Sequence, residues 1–243
     1  MAMVRAAGLV LPQAALERAY ALFLGRERRR NAARPIEEIF REVYANNRWG
    51  GPRGELCSGS GAAEEYAIPY AEAIGRFVEK HGIRSIVDLG CGDFSVGRLI
   101  ASKRVRYIGV DVVDEVVRRN RDRHGAEGVE FVRLDITKDE LPAGDLCLVR
   151  QVLQHLSNAE ILSVIERTRG YEFVVVTEHL PPVKGASRPN LDKPHGADTR
   201  LLEGSGVFLE EEPFGQRIVE TLLEVPFREP LRPGERILTF RIR

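Results

Sequence analysis

Short apolar runs alternate with helical segments through the middle of the chain, and this alternation constrains the fold more than any other feature. Nearly continuous apolar character is typical of strands that are buried on both faces. Strand and helix units joined by short connections predict an α/β fold with a parallel, doubly wound sheet and right-handed crossovers. The apolar runs are SIVDLG, RYIGVD, VEFVRLD, DLCLVR and YEFVVVTEH, at residues 85–90, 106–111, 129–135, 145–150 and 171–179.

The two ends of the chain depart from this alternation. Apolar residues at helical spacing predict helices over 13–30 and 35–46, and a glycine-rich segment then interrupts all periodicity up to residue 62. At the other end, RIVETLLEVP and RILTFRIR predict a terminal antiparallel hairpin on the sheet. We therefore expect an N-terminal helical segment with a glycine-rich lid over 1–62 and a main domain over 63–243.

Between these ends, four helices and one long loop are expected, and two of the helices are predicted over 112–125 and 158–170. A helix is predicted over 64–81, ended by Gly82, and another near 96–103. Residues 181–216 form a connection that is too long and too rich in proline and glycine for regular structure, and such loops are usually functional or disordered. This loop follows a strand at the carboxyl edge of the sheet, where open α/β sheets bind ligands.

Charge and cysteine content narrow the class of protein. The 36 basic and 36 acidic residues give a formal net charge of zero, so there is no long-range attraction to a polyanion and nucleic acid is not an expected partner. Three widely spaced cysteines indicate free thiols in a reducing compartment. Pro12 and Glu17 interrupt the N-terminal apolar stretch, so we expect no membrane segment and a cytoplasmic location.

The stretch VDLGCGDFSVG, residues 87–97, ends the first strand in a glycine turn. A dinucleotide site would have a third glycine close to the first two, but Gly97 comes late after Gly90 and Gly92. Asp88 precedes the turn by two residues, where a carboxylate would repel a pyrophosphate and attract an ammonium group. The stretch therefore predicts a cationic ligand and argues against an NAD-linked oxidoreductase.

Acidic residues also follow the next two strands. Asp111 ends the second strand, where an acid takes the two ribose hydroxyls of a nucleoside. Asp135 follows the third strand and is suited to the amino group of adenine. A single aspartate after a strand is most often a turn residue or a helix cap. Three in order at successive strand ends predict one nucleoside site.

These motifs, together with DLCLVRQVLQHL, resemble those of class I S-adenosylmethionine-dependent methyltransferases. The resemblance covers roughly residues 80–180 and implies a Rossmann-like, seven-stranded mixed sheet with S-adenosyl-L-methionine as cofactor. It implies that Asp88 and the glycine turn hold the methionine part, Asp111 the ribose and Asp135 the adenine edge. The cofactor contacts expected on this basis are Asp88, Gly90, Cys91, Gly92, Asp111, Val112, Asp135, Ile136 and Arg150.

Two residues in the glycine-rich segments invite more than one interpretation. Cys91 lies between two glycines but has no base near it in sequence, so a packing role is favoured over a nucleophilic one. The segment NNRWGG…SGSGA resembles one found upstream of this core in some bacterial methyltransferases. Trp49, in that segment, is expected either to close over the cofactor or acceptor or to anchor the N-terminal helices.

Candidate bases are histidines that follow strands. Methyl transfer is an in-line displacement, and a hydroxyl acceptor must also lose its proton. His155 follows the fourth strand and His179 ends the fifth, so both are predicted at the mouth of the site. For His155, a role as base and a packing role under the cofactor are equally open.

Other polar residues on this side are candidates for contact with the methyl acceptor. The loop sequence NLDKPHGADTR is consistent with an aspartate-rich turn, with a clamp for an anionic acceptor, or with a divalent metal site formed by Asp192, His195 and Asp198. The turn is favoured, so no metal is predicted. The expected acceptor contacts are Trp49, Gln151, Glu178, His195 and Arg200, with Arg150 close by.

Taken as a whole, the sequence predicts a methyltransferase that uses S-adenosylmethionine and acts on a small molecule such as a natural product or a sugar. O-methylation with a histidine base is the expected reaction, because three histidines fall on the acceptor side. An N-methyltransferase or a macromolecule methyltransferase is the alternative within the class. A cofactor-binding regulatory or scaffold protein without activity is the alternative outside it.

Overall fold

The computed structural model describes residues 13–52, 55–101, 105–182, 188–228 and 233–243. The N-terminal stretch around Pro12 and parts of the predicted lid and acceptor-side loop, at 53–54 and 183–187, therefore lie outside the described residues. The division of the chain at residue 62 into a helical segment and a main domain stays a prediction.

The described residues form a seven-stranded mixed sheet with the order β3-β2-β1-β4-β5-β7-β6. Strands β1 to β5 are parallel, and β7 is antiparallel to both β5 and β6. The seven-stranded sheet and the terminal antiparallel hairpin expected from the sequence are thus confirmed. The strands are β1 (Ser85–Leu89), β2 (Arg106–Asp111), β3 (Val129–Arg133), β4 (Leu146–Arg150), β5 (Phe173–Leu180), β6 (Ile218–Pro226) and β7 (Arg236–Ile242).

The α-helices within the described residues begin and end where local sequence signals place them. Gly82, in the left-handed conformation with φ 64°, ends α3, and Ser157 and Glu160 form a capping box at the start of α5. The helices are α1 (Gln13–Asn31), α2 (Ile36–Ala45), α3 (Glu64–His81), α4 (Asp114–His124) and α5 (Asn158–Arg167).

The helix expected near 96–103 is wrong in the part that the structure describes. There the chain forms a single 3₁₀ turn, Gly97–Leu99, and residues 102–104 lie outside the described part. Phe94, just before this turn, adopts φ 63°, and its buried ring packs against Tyr107 of β2. Tight packing of this connection on the sheet therefore replaces a crossover helix.

Apolar layers cover both faces of the sheet. Because side chains alternate along a strand, Ile86, Leu148 and Val175 face the core that α3 shares. Val87 and Val176 face the opposite core, formed with α5 and the segment 207–214. Burial on both faces explains the nearly continuous apolar character of these strands.

Helices α1 and α2 lie across the carboxyl edge of the parallel strands. Phe40 and Val43 of α2 pack against Val113 and Val116 at the start of α4. Arg28 of α1 forms an ion pair of 2.9 Å with Asp198 in the long loop. The N-terminal helices are thereby attached to both sides of the edge where a ligand would bind. Among the described helices, none has the length and apolar content needed to cross a bilayer.

Candidate active site

A cavity of about 960 Å³ lies at the carboxyl edge of the sheet. Residues that follow β1, β2, β3, β4 and β5 form its floor, as expected for an open parallel sheet. Residues of α1 and α2 and the segment 58–62 line its other side and partly cover it. The cavity combines the strand ends with the predicted glycine-rich lid.

The glycine turn after β1 requires its two glycines. Gly90 and Gly92 have φ values of 76° and 55°, and a Cβ atom would clash with Val152 at the first and with Ser58 at the second. Cys91 lines the cavity between them, and burial raises the pKa of its thiol well above the usual value. The thiol therefore stays protonated, which is inconsistent with a nucleophilic role.

Asp88 and Asp111 bring two carboxyl groups to one end of the cavity. Burial raises the pKa of each to about 6. The Tyr107 hydroxyl donates a hydrogen bond to Asp88, and the backbone N–H groups of Gly92 and Val113 donate to Asp111 over 3.1 and 3.0 Å. Each carboxylate keeps lone pairs for a ligand, Asp88 for an ammonium group and Asp111 for hydroxyls.

The predicted adenine end is also present at the cavity. Asp135 lines it, with Oδ1 accepting from the backbone N–H of Thr137 over 3.0 Å and Oδ2 lying 2.9 Å from Lys138 Nζ. Val112 and Ile136 contribute apolar walls on either side of this region. Such an arrangement suits a flat, apolar base with a polar edge.

Arg150 brings a positively charged side chain to the cavity. Its guanidinium lies 5.0 Å from the centre of the Tyr70 ring and donates one hydrogen bond of 2.5 Å to the carbonyl of Gly61. Its buried Nε has no hydrogen-bond partner among the described residues. A buried guanidinium with a free donor beside the Asp88 carboxylate fits the carboxylate and ammonium of an amino acid.

One face of the sheet supplies these charged groups. Asp88 follows Ile86 by two positions, Arg150 follows Leu148, and His179 follows Val175 by four. Strand side chains alternate, so all three share the face on which α3 packs. The strand ends thus direct an acid, a cation and a histidine into the same cavity.

A reciprocal pair of hydrogen bonds attaches the glycine-rich segment to the turn after β1. The Ser58 N–H donates to Asp93 Oδ2 over 3.1 Å, and the Asp93 N–H donates to Ser58 Oγ over 3.0 Å. We call this pair the Ser58–Asp93 clasp. Sequence reasoning missed both residues, although the glycine content around Ser58 marked the segment as a lid.

His155 lines the cavity within an aromatic cluster. Its ring centre lies 5.3 Å from that of Trp49 and 6.1 Å from that of Phe40. Its Nδ1 is 3.2 Å from the carbonyl of Gly196, so Nδ1 carries the proton. Burial lowers the pKa of His155 to about 4, which keeps the ring neutral.

His179, Gln151 and Trp49 also line the cavity. The Nε2 of His179 lies 2.9 Å from Oε2 of Glu235, and the Phe227 ring packs 4.1 Å from the imidazole. Gln151 adopts φ 55°, an unusual conformation for a residue with a side chain, and its side chain contacts the position of Gly61. The structure therefore brings these predicted acceptor-side residues to the cavity.

Three predicted acceptor contacts do not reach the cavity. Glu178 lies on the opposite face of β5 from His179, near Arg200, and burial raises its pKa to about 8. Arg200 is buried, and its guanidinium donates to the carbonyls of Leu191, Gln154 and Leu156 over 2.6, 3.2 and 2.7 Å. These contacts correct the expectation that Glu178 and Arg200 bind the acceptor.

His195 is the third of these corrections. Its Nδ1 lies 2.6 Å from Glu160 Oε1 at the start of α5, and its Nε2 lies 2.9 Å from the carbonyl of Arg34 between α1 and α2. The Glu160 side chain raises the pKa of His195 by hydrogen bonding. His195 therefore joins α5 to the N-terminal helices and has no nitrogen left for an acceptor.

The alternative metal site is likewise not assembled. Asp192 accepts hydrogen bonds from the backbone N–H groups of Asn158 and Lys193 over 2.8 and 2.9 Å, and Asp198 pairs with Arg28. Within the described ranges, no three His, Cys, Asp or Glu side chains form a group that could hold a metal ion. The polar residues of the loop build the loop itself.

Comparison with known proteins agrees with this site. Residues 86–170 match the family model described as a methyltransferase domain. No curated protein matches the chain in sequence.

Solved structures share the fold. The Burkholderia thailandensis 1,6-didemethyltoxoflavin-N1-methyltransferase is 19% identical, with a TM-score of 0.54, and the alignment covers 98% of this chain and 92% of that one. Magnesium protoporphyrin IX methyltransferase from Synechocystis is 17% identical, with a TM-score of 0.53, covering 88% and 99%. The N-methyltransferase NodS from Bradyrhizobium japonicum is 13% identical, with a TM-score of 0.50, covering 74% and 88%.

Residues 86–170 match a methyltransferase domain, and the strand order and the acids at the strand ends fit an enzyme that uses S-adenosylmethionine. The residues at the cavity fit its cofactor, S-adenosylmethionine. Asp111 suits the ribose, the Gly90–Gly92 turn leaves room for the ligand, and Asp88 with Arg150 suits the amino acid end.

Arg150→Gln is expected to weaken binding of S-adenosylhomocysteine by about 10- to 100-fold, because charge-assisted hydrogen bonds to a carboxylate are lost. Binding of 5′-methylthioadenosine, which has no amino acid end, is expected to stay unchanged. Asp111→Asn is the matched control and should weaken both ligands. Calorimetric titration of both variants measures this, and equal losses for both ligands in Arg150→Gln would contradict the assignment.

Lowering the pH from 7.5 to 5 is expected to weaken binding of S-adenosylhomocysteine by at least about tenfold. The pKa values of Asp88 and Asp111 are about 6, so both are ionised at pH 7.5 and mostly protonated at pH 5. Asp88 attracts the ammonium group of the ligand only when its carboxyl group is ionised. Titration at several pH values tests this. An affinity that does not change with pH would show that neither acid contacts the ligand.

Arg200→Leu is expected to lower the free energy of unfolding by about 3 kcal/mol, because buried carbonyl groups lose their donor and Glu178 loses its nearby cation. Urea denaturation measures the change. Arg76→Leu, at an exposed position on α3, is the control and should be nearly neutral. An Arg200→Leu variant of normal stability would contradict the structural role assigned to these hydrogen bonds.

Proposed function

We propose that the protein transfers the methyl group of S-adenosylmethionine to a hydroxyl group of a small molecule held in this cavity, with His179 accepting the proton. The observation that carries the proposal is a single cavity in which the cofactor residues and a histidine paired with a carboxylate meet. The substrate class, the reaction type and the base are each argued below.

The shape of the cavity favours a small acceptor over a macromolecule. Its volume of about 960 Å³ is at the upper end of the range for sites that hold small ligands, which leaves space for a second molecule beside the cofactor. Helices α1 and α2 and the segment 58–62 cover its outer side, where a polymer would have to enter. Leu24, Ile36 and Trp49 line this side, so the acceptor should have an apolar body.

Of the two cavity histidines, His179 is better suited to accept a proton. His155 has a pKa lowered to about 4 by burial, so it binds a proton poorly at neutral pH, and its Nδ1 is engaged with Gly196. The carboxylate of Glu235 instead lies 2.9 Å from Nε2 of His179, an arrangement that can orient an imidazole for proton transfer. We therefore assign His155 to the wall of the site and His179 to the chemistry.

In the proposed reaction, the acceptor hydroxyl gives its proton to His179 as its oxygen attacks the methyl carbon in line with the breaking bond. S-adenosylmethionine supplies the methyl group as a sulfonium, and S-adenosylhomocysteine is left. Arg150 and Asp88 hold the amino acid end in place while the apolar wall around Trp49 limits access of water. The proton on His179 then passes to solvent.

N-methylation is the second candidate. The solved structure that aligns with 98% of this chain is an N1-methyltransferase, and NodS is also an N-methyltransferase. An amine acceptor needs less help from a base. A panel of phenols and their matched anilines, incubated with methyl-labelled cofactor, separates the two reactions by which half of the panel is labelled.

A cytoplasmic location and the lack of a nucleic acid partner remain predictions.

His179→Gln is expected to lower turnover of a phenolic acceptor by about 10²- to 10⁴-fold, because proton transfer to a positioned base is lost. Binding of S-adenosylhomocysteine should not change. His124→Ala, which alters a histidine outside the cavity, is the matched control. Methyl-label incorporation measures the effect, and full activity of His179→Gln on phenols would sink the assignment of the base.

A further inference from the structure

From the contact between β5 and β7 we infer that Glu235 is the positioning residue for His179. It holds the Nε2–H of the imidazole and so directs Nδ1 to the acceptor. This inference rests on the proposed function, in which His179 is the base. Neither sequence patterns nor the comparisons single out Glu235.

The topology of the sheet places the two residues together. β7 runs antiparallel to β5, so the start of β7 lies at the edge where β5 ends. His179 pairs with Ile237 and Leu180 pairs with Arg236, which places Glu235 just beyond the last paired position. The one reversed strand next to the parallel strands thus brings an acid to the carboxyl edge from a distant part of the chain.

The distance and burial show that the two side chains form a pair. His179 Nε2 and Glu235 Oε2 are 2.9 Å apart, and each side chain is only 8% exposed. The His179 N–H group does not point directly at the Glu235 oxygen, so the two atoms are in close contact without a well-aligned hydrogen bond. In so little water, a carboxylate beside an imidazole strongly favours the tautomer that donates to it.

Neighbouring aromatic rings restrict how the imidazole turns. The Phe227 ring lies 4.1 Å from it, and Tyr66 of α3 stacks on Phe227 at 5.1 Å. The Tyr66 hydroxyl also accepts a hydrogen bond from the Arg228 N–H over 2.9 Å. These contacts connect α3 to the β6–β7 hairpin and hold the ring with Nε2 against Glu235.

The chemical consequence concerns the second nitrogen. Nε2 is buried against Glu235, so Nδ1 is the nitrogen left to face the cavity that His179 lines. With Nε2 protonated, Nδ1 has a free lone pair for the acceptor proton. After transfer the ring is a cation, and the Glu235 carboxylate stabilises it without itself taking the proton. Glu178 cannot replace Glu235 because it lies on the other face of β5.

The test is the tautomer of His179 in ¹⁵N-histidine-labelled protein saturated with S-adenosylhomocysteine, and it needs no acceptor. Two-bond ¹H–¹⁵N spectra should show an acceptor-type Nδ1 and a protonated Nε2, with the signals assigned by their loss in His179→Asn. In Glu235→Ala the two tautomers should mix. Glu235→Gln keeps an acceptor oxygen and should retain most of the wild-type pattern.

Glu224→Gln, which changes an exposed carboxylate of the same hairpin, is the control and should leave the spectrum unchanged. A wild-type spectrum with Nδ1 protonated, or an unchanged tautomer in Glu235→Ala, would overturn the inference. Either result would leave the proposed O-methylation standing with another orienting group. Failure of the proposed function would appear separately, as transfer to anilines alone or as full activity of His179→Gln.

Discussion

The parallel hydrogen bonding of β1 to β5 is the constraint on which the rest of the molecule depends. It points five carboxyl ends at one edge, so residues far apart in sequence share a single cavity. Alternation of side chains then selects one face of that edge for Asp88, Arg150 and His179. The reversed strand β7 extends this convergence by adding Glu235 from near the C-terminus. The direction of the strands therefore determines where the cofactor and acceptor regions lie, and the particular side chains determine what those regions bind.

The long loop after β5 supports this edge from behind. Arg200 donates to three backbone carbonyls, and two of them belong to the residues on either side of His155. The Gly196 N–H and carbonyl both contact His155, through its backbone and its ring. Polar side chains in the loop form hydrogen bonds that stabilise the loop and the segments packed against it. Such a loop can hold α1 through Asp198 and Glu203 and yet offer few groups to a substrate.

The sequence predicts the sheet and the cofactor end because those signals are local. A buried strand reads as an apolar run, and an acid at its end is carried to a known edge. Glu178 and His179 show where this reasoning stops: they are neighbours in sequence, and only the position of α3 and α5 decides which of them faces the cavity. The expectations for Arg200 and His195 fail for a related reason, because their partners are distant in sequence. Arg200 contacts the Leu156 carbonyl more than 40 residues away, and His195 contacts the Arg34 carbonyl more than 160 residues away. Glu235 gave no signal at all, because its role arises from antiparallel pairing with a strand some 60 residues earlier.

The cofactor end combines buried charge with incomplete pairing. Burial raises the pKa of Asp88 and Asp111 above their ordinary values, so their ionisation at neutral pH opposes folding. Arg150 is also desolvated, which lowers its pKa, and its Nε has no partner among the described residues. A ligand that carries an ammonium, a carboxylate and two hydroxyls would satisfy all three groups at once. The groups that lower the folding stability of the protein are thus already placed for the ligand. The site therefore needs little rearrangement to bind, at a cost in folding stability.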